Sequence, residues 1–208
     1  MSDDGKLSDE AILQDLKALG EIAAAHKAPG SALATHSETI NGQQYDVFSN
    51  VPHNLGELYD LSLEQADETF LVYQQERYTF KQTHEMARRL ARVLQDNYAI
   101  KKGDRVVVCA RNSPEWCIAY MATTLLGAIV VPMNSWWKGG ELEYGLKDSG
   151  SKLVFADEAR FQHISTYTEA LDIAIVLIKP QIDADLPEFY SLLGSVEPLS
   201  NAEVAALN

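Results

Sequence analysis

The sequence predicts an α/β protein with a mostly parallel sheet flanked by helices. Residues Lys101 to Asn134 have the pattern of a complete strand–helix–strand unit, with turn and cap residues at each boundary. Two helix-then-strand repeats follow and end near Ile178. Two buried strands joined through one helix need a parallel, right-handed crossover. Repeated alternation of this kind is typical of a parallel sheet that is covered on both faces.

Residues 1–50 are expected to form an N-terminal extension made of a helix and a hairpin. The segment Ser8 to His26 has apolar residues at helical spacing, and Gly20 can bend it. Asn41-Gly42 lies between two extended segments, which is the strongest short-range signal for a type I′ hairpin. The apolar face of the predicted helix is formed by Ile12, Leu16, Leu19 and Ala23.

Residues 51–180 are expected to form the α/β sheet subdomain. Asn54 can cap a short helix that runs to about Leu63, and a second small hairpin should turn at Gln75-Glu76. An amphipathic helix follows from Phe80 to about Asn97, with a capping box at its start. The polar side of this helix should face solvent and is formed by Lys81, Glu85, Arg88, Arg92 and Gln95.

The central unit has clear boundaries. A turn at Gly103-Asp104 leads into an apolar strand, and Ser113-Pro114-Glu115 supplies a helix cap, a first-turn proline and a first-turn carboxylate. Gly127 can take the left-handed conformation that ends the helix. The predicted sheet strands are Arg105–Cys109, Ala128–Val131, Lys152–Ala156 and Ile173–Ile178, and the predicted helices are Pro114–Leu126, Gly140–Asp148 and Glu158–Ala170.

Residues 181–208 are expected to be an acidic connecting segment that leads to a remainder missing from the sequence. Acidic residues here have no Lys or Arg beside them, and Pro187 and Pro198 interrupt the segment. One short helix is predicted, from about Glu188 to Leu193.

The charge balance excludes some classes of protein. With 17 basic and 30 acidic residues the formal charge is −13, which argues against nucleic-acid binding because phosphate contacts need a basic face. Cys109 and Cys117 both lie in apolar runs and outside any CxxC spacing, so we expect buried, reduced thiols. The first ten residues lack the basic and apolar regions of a signal peptide. A cytoplasmic protein is therefore expected.

The uncharged run from Trp116 to Trp137 is long enough to cross a bilayer. It changes at Gly127 from a helical to a β-branched pattern, and Pro132 interrupts it. A strand cannot cross lipid alone, because its backbone groups would lack hydrogen-bond partners. We therefore expect a buried crossover and no membrane span.

No catalytic, cofactor-binding or metal site can be assigned from the sequence motifs. The segment Gly145–Lys152 has GxxxxG spacing but precedes a strand, so it is interpreted as a helix end and a turn. Ser113 is interpreted as a helix cap and not as a nucleophile. The five histidines show no metal-ligand spacing; they are His26, His36, His53, His84 and His163.

Four residues remain as candidates for a substrate crevice. Arg111 and Asn112 follow the carboxyl end of a predicted parallel strand, where open α/β sheets bind their ligands. Trp136 and Trp137 follow the next strand. These two side chains could form the wall of an acyl pocket or an anchor on the surface. Packing in the core is an equally good interpretation.

From Asn54 to Asp157 the chain resembles the N-terminal part of acyl- and aryl-CoA synthetases, which are adenylate-forming enzymes. The likeness rests on the order and spacing of several short stretches, and the Trp136-Trp137 variant points toward fatty acyl-CoA synthetases. The stretches include Tyr78-Thr79-Phe80, Lys102-Gly103-Asp104-Arg105-Val106, Asn112-Ser113-Pro114-Glu115-Trp116, Val131-Pro132-Met133-Asn134 and Asp148-Ser149-Gly150-Ser151-Lys152.

The resemblance implies a two-step reaction in the complete enzyme. A fatty acid would be adenylated by Mg·ATP, and the thiol of CoA would then displace AMP. The family's phosphate loop, aromatic–Thr–Glu motif, ribose-binding Asp and C-terminal lysine have no counterpart in these 208 residues. The resemblance therefore implies that this chain alone binds neither ATP, Mg nor CoA and is inactive.

Two hypotheses remain open for the chain itself. It is either an N-terminal fragment of an acyl-CoA synthetase or a self-standing, non-catalytic α/β module for binding or dimerisation. Exposed apolar sheet surface would favour association, so a homodimer or a larger assembly is expected.

Overall fold

A computed structural model describes residues 8–181, 185–194 and 196–207. The chain divides into two compact units on either side of the bond between His53 and Asn54. In the first unit, helix α1 (Asp9–Lys27) is capped by Ser8, whose side chain accepts a hydrogen bond from the backbone N–H of Ala11. The predicted N-terminal helix is confirmed.

The first unit also contains the predicted hairpin, formed by strands β1 (Thr35–Ile40) and β2 (Gln43–Phe48). Asn41 and Gly42 have φ values of 51° and 81°. A type I′ turn requires positive φ at both central residues, and Asn-Gly tolerates it.

The second unit begins with helix α2 (Leu55–Leu61), a 3₁₀ turn over Ser62–Gln65, and a hairpin of β3 (Thr69–Tyr73) and β4 (Glu76–Thr79). The hairpin turns at Gln74-Gln75, so the predicted turn at Gln75-Glu76 was one residue too late. Gln74 takes a positive φ of 51°, which a glutamine would not be expected to adopt.

The four remaining strands form one parallel sheet in the order β6-β5-β7-β8. All four agree with the prediction to within one or two residues, and Gly127 has the expected positive φ, of 64°. The strands are β5 (Arg105–Cys109), β6 (Ile129–Pro132), β7 (Leu153–Asp157) and β8 (Ala174–Ile178).

Helices cover both faces of this sheet. Because side chains alternate along a strand, Val106 and Val108 join one apolar cluster and Val107 and Cys109 join the other. Helices α3 (Phe80–Tyr98) and α4 (Pro114–Leu125) pack in the first cluster, and α5 (Gly140–Ser149) and α6 (Glu158–Ala170) in the second. The predicted capping box of α3 is present between Thr79 and Gln82.

The C-terminal stretch packs into the first cluster. It contains the predicted helix α7 (Phe189–Leu193) and a helix that was not predicted, α8 (Asn201–Leu207). Phe189 and Val204 are buried in the core. This stretch is thus part of the packed unit.

Packing of the C-terminal stretch overturns one prediction. Arg88 was expected on the solvent side of α3 but is buried, and the C-terminal stretch supplies one of its hydrogen-bond partners. Its guanidinium donates hydrogen bonds to the carbonyl of Leu199 at 3.0 Å and to Asp60 at 2.7 Å. Burial of a charge is tolerated here because both partners are in place.

The uncharged run divides as expected into α4 and β6. Among the described residues, no helix is both long and apolar enough to cross a bilayer.

Candidate substrate crevice

Three connections meet at the carboxyl edge of the parallel sheet. They are the loop from β5 to α4, the loop from β6 to α5, and the junction of β7 with α6. Asp157 joins them, since it ends β7 and caps α6. Its Oδ1 accepts from the backbone N of Arg160 at 3.0 Å, and its Oδ2 accepts from the backbone N of Arg111 at 2.9 Å.

Arg160 extends this connection to the loop after β6. It pairs with Asp157 at 3.2 Å, and its Nε and a terminal nitrogen donate to the carbonyl of Ser135 at 2.9 and 2.6 Å. Both side chains are largely buried, at 13% and 22% exposed. An arginine that pairs with a carboxylate and also donates two hydrogen bonds to a loop carbonyl restricts the position of that loop.

The result is a stacked pair at the surface. The guanidinium carbon of Arg111 lies 4.3 Å from the ring centroid of Trp136, and the side chain of Trp136 is 70% exposed. Among the described residues, no ion pair involves Arg111. An open aromatic face beside a cation can bind a planar or anionic group.

The other two candidates lie elsewhere. Trp137 is half-buried and packs in the second cluster, where a Cβ on Gly145 would lie 3.4 Å from its ring. Asn112 lines a separate hollow of about 180 Å³ with Tyr73, Pro114 and other residues. The structure therefore brings together Arg111 and Trp136, whereas Asn112 and Trp137 lie outside that pair.

Sequence reasoning missed Asp157, Arg160 and Ser135. Asp157 had a signal, because a carboxylate directly after a buried strand and before a helix is a typical N-cap. No local signal links Arg160 to Ser135, since 25 residues separate them.

A buried ionic cluster lies at the start of α4 and was also missed. Glu115 has no exposed surface, and its Oε1 lies 3.0 Å from Nζ of Lys179 and accepts a short hydrogen bond from Tyr190. Its Oε2 is buried and has no hydrogen-bond partner among the residues that the structure describes. Lys179 also pairs with Glu76 at 2.8 Å. Burial opposes the charge on Lys179, but its hydrogen bonds to Glu76 and Glu115 raise its pKa above 10.5.

An apolar cavity of about 410 Å³ lies between α2, β3 and α4. Tyr59 and Ser62 line it, but their hydroxyls are engaged with Thr124 at 2.9 Å and His84 at 3.0 Å. The apolar residues that line the cavity include Leu58, Phe70, Phe80, Trp116, Tyr120 and Met121.

Within the described ranges, no group of three or more His, Cys, Asp and Glu side chains could hold a metal ion. The segment Gly145–Lys152 contains the end of α5, where Gly150 takes a positive φ of 55°, and leads into β7. The interpretation of this segment as a helix end and a turn is confirmed.

A family model described as "AMP-binding enzyme" matches residues 62–205, which is more than half of the chain. The chain belongs to the AMP-binding enzyme family. The matched region includes every strand of the parallel sheet and the whole crevice network.

Similar curated proteins of this AMP-binding family are CoA ligases. The long-chain-fatty-acid–CoA ligase FadD13 of Mycobacterium tuberculosis is 41% identical over 78 residues, covering 38% of this chain and 15% of that protein. The long-chain-fatty-acid–CoA ligase of Escherichia coli is 35% identical, covering 43% and 16%. The 4-coumarate–CoA ligase 3 of Arabidopsis thaliana is 30% identical, covering 46% and 17%.

Solved structures of adenylate-forming CoA ligases share the fold. An anthranilate CoA ligase in complex with anthranoyl-AMP superposes with a TM-score of 0.69 at 23% identity, covering 74% of this chain and 31% of that one. A benzoate CoA ligase from Burkholderia xenovorans gives 0.64 at 19%, covering 72% and 30%. The matched part is the N-terminal part of those enzymes. In the curated relatives described above, the residues aligned with this chain cover about a sixth of the protein's length.

Proposed function

We propose that this chain supplies the N-terminal part of a cytoplasmic acyl-CoA synthetase that adenylates a fatty acid with Mg·ATP and then forms the CoA thioester. The family match over residues 62–205 carries this proposal. The fatty-acid substrate is supported by two long-chain-fatty-acid–CoA ligases that are 35% and 41% identical over the aligned residues.

Within that enzyme, we propose that Arg111, Asn112, Trp136 and Trp137 line a substrate crevice. The support is the exposed cation–aromatic pair of Arg111 and Trp136, which Asp157 and Arg160 hold in place. The carboxyl edge of a parallel sheet is also where α/β proteins bind ligands. Arg111 would attract a phosphate or carboxylate group, and Trp136 would offer a flat face to a base or an apolar chain.

The 208-residue chain by itself is proposed to be inactive and to bind ATP weakly or not at all. Adenylation needs preorganised donors and Mg²⁺ around the phosphates, and the described residues supply neither a metal cluster nor a phosphate loop. The formal charge of −13 also disfavours a polyanion.

The test is pyrophosphate release with a panel of fatty acids, Mg·ATP and CoA. The 208-residue chain is assayed beside a protein extended downstream to the length of the curated relatives. Activity only in the extended protein supports the proposal, and turnover by the short chain refutes the inactivity.

The role of the crevice is tested in the extended protein. Arg111→Ala should raise KM for the substrate whose anionic group it contacts, while Lys138→Ala serves as a control of the same charge on an exposed residue nearby. Equal effects of the two substitutions would contradict a specific role for Arg111.

A self-standing binding or dimerisation module is the second candidate. It is favoured by one observation: the chain already covers both faces of its sheet with packed apolar clusters. Cooperative unfolding of the 208-residue chain, together with an inactive extended protein, would support this module and contradict the synthetase.

A further inference from the structure

Helix α1 carries a row of large apolar side chains that the described residues of its own compact unit leave exposed. None of its 19 residues is buried. An isolated helix of this length is only marginally stable in water, and helices in proteins are stabilised mainly by packing of an apolar face. The exposed side chains are Ile12 at 43%, Leu13 at 67%, Leu16 at 59%, Leu19 at 61% and Ile22 at 55%.

The spacing of this row matches a helix-pairing seam. Ile12, Leu16, Leu19 and Ala23 are separated by four, three and four residues, which is the alternation of d and a positions in heptads. Because the spacing repeats through the helix, a second helix can pack along it with knobs-into-holes geometry.

The charges at the two ends of α1 select an orientation. Asp9 and Glu10 lie in its first turn, and His26 and Lys27 lie in its last turn. Two parallel copies would place like charges together at each end, whereas two antiparallel copies place acid beside base.

We propose that α1 is a homotypic interaction surface that pairs antiparallel with α1 of a second copy of this chain. In this register Leu16 faces Leu19 of the second copy, and Ile12 faces Ala23 of the second copy. Asp9 then lies beside His26 and Lys27 of the second copy. The proposal is independent of the catalytic function proposed above.

Gly20 supports the same register. It lies on the flank of the seam where Leu13 of the second copy would pack. A Cβ built on Gly20 would have no atom of the described residues within 4 Å. The open space beside this glycine can therefore accept a leucine side chain from another helix. Gly20 weakens the isolated helix, whereas close helix packing benefits from the missing side chain.

A lipid surface is a poorer occupant for this face. Membrane-surface helices are typically rich in Lys and Arg on the polar side. The charged residues of α1 other than His26 are four acids and two lysines: Asp9, Glu10, Asp15, Glu21, Lys17 and Lys27.

The first test measures association of the full 208-residue chain by sedimentation over a wide concentration range. Leu16→Glu should weaken the dimer at least tenfold, because it places a charge in the seam. Gln14→Glu adds the same charge on the opposite face of α1 and should leave the dimer unchanged. An unchanged dimer in Leu16→Glu, or a wild-type chain that is monomeric throughout, would overturn the proposal.

The second test determines orientation by cross-linking in a Cys117→Ser background. Chains carrying Asp9→Cys are mixed with chains carrying Lys27→Cys under mild oxidation. Antiparallel pairing predicts that the mixed disulfide exceeds either symmetric disulfide, since a disulfide needs Cα atoms within about 7 Å. Predominantly symmetric disulfides would refute the antiparallel arrangement.

The third test adds vesicles containing phosphatidylglycerol. The proposal predicts no co-sedimentation of the chain with them. Binding that is lost in Leu16→Glu but kept in Gln14→Glu would assign the face to lipid and overturn the proposal.

Discussion

Nζ of Lys179 lies 3.0 Å from Oε1 of Glu115, a carboxylate with no exposed surface. The contact joins the end of β8 to the first turn of α4, where the helix dipole also favours a negative charge. Lys179 is itself only 33% exposed. The two residues are 64 positions apart in the sequence, so the buried charge of one depends on a distant part of the chain.

Lys179→Met should destabilise the protein by about 3–5 kcal/mol, because it leaves a buried carboxylate without its counter-charge. The free energy of unfolding is measured by urea titration. Adding Glu115→Gln to Lys179→Met should recover part of that loss, and the double-mutant cycle then gives the coupling energy. If the losses of the two single variants simply add, the pair is not coupled as the structure indicates.

Leu125→Ala should reduce the free energy of unfolding by about 2–5 kcal/mol, because Leu125, the last residue of α4, is 2% exposed and packs in the first cluster. Leu61→Ala makes the same chemical change at a position that is 55% exposed and should cost about 0.5 kcal/mol. Urea melts of the two variants provide the comparison. Similar losses at both positions would mean that the packing of α4 is misassigned.

The two cysteines should differ in reactivity. Cys109 is fully buried, and burial together with the charge of Asp157 raises its pKa to about 11. Cys117 is only half-buried, although burial and the charge of Glu115 raise its pKa as well. This exposure corrects the expectation that both thiols are buried.

A chromogenic disulfide reagent at pH 8 should therefore modify Cys117 slowly and Cys109 only after unfolding, since the thiolate is the reactive form. The Cys117→Ser variant is the control and should show one thiol, released only in denaturant. Rapid modification of both cysteines in the folded protein would contradict the buried position of Cys109.

Stability should fall as the pH is lowered below about 6.5. His84 is 5% exposed, and burial lowers its pKa below the usual 6.5, with the charge of Asp60 opposing and that of Arg88 reinforcing the shift. The unfolded chain therefore takes up a proton on His84 before the folded chain does, which favours unfolding. Thermal melts between about pH 5 and 8 should show that the melting temperature depends less on pH in His84→Gln than in the wild-type chain. An identical pH dependence in both proteins would exclude His84 as a contributor.

Local signals in the sequence were sufficient for most of the secondary structure. The cap at Ser113, the proline at position 114 and the positive φ at Gly127 depend on neighbouring residues, so the strand–helix–strand unit could be predicted closely. The Asn-Gly turn and the capping box of α3 are likewise local. The parallel sheet followed from the alternation of elements, because a helical crossover permits that arrangement.

Tertiary structure decided which predicted side chains meet. Arg111 and Trp136 stack because Asp157 and Arg160 hold two separate loops, and those four residues come from three connections. Trp136 and Trp137 are neighbours in sequence, yet one is exposed and the other half-buried. The contacts of Trp137 with the second cluster, which only the folded chain provides, account for this difference.

Burial of charge was the other property that only the folded chain revealed. Arg88 has the helical position of a solvent-facing residue, and Glu115 has that of an ordinary first-turn acid. Distant segments supply the partners of both charges. Lys179, 64 residues later, pairs with Glu115. Arg88 binds Asp60, 28 residues earlier, and the carbonyl of Leu199, 111 residues later. Periodicity and capping report interactions within a few residues, whereas a buried charge is determined by partners that only folding brings within hydrogen-bond distance.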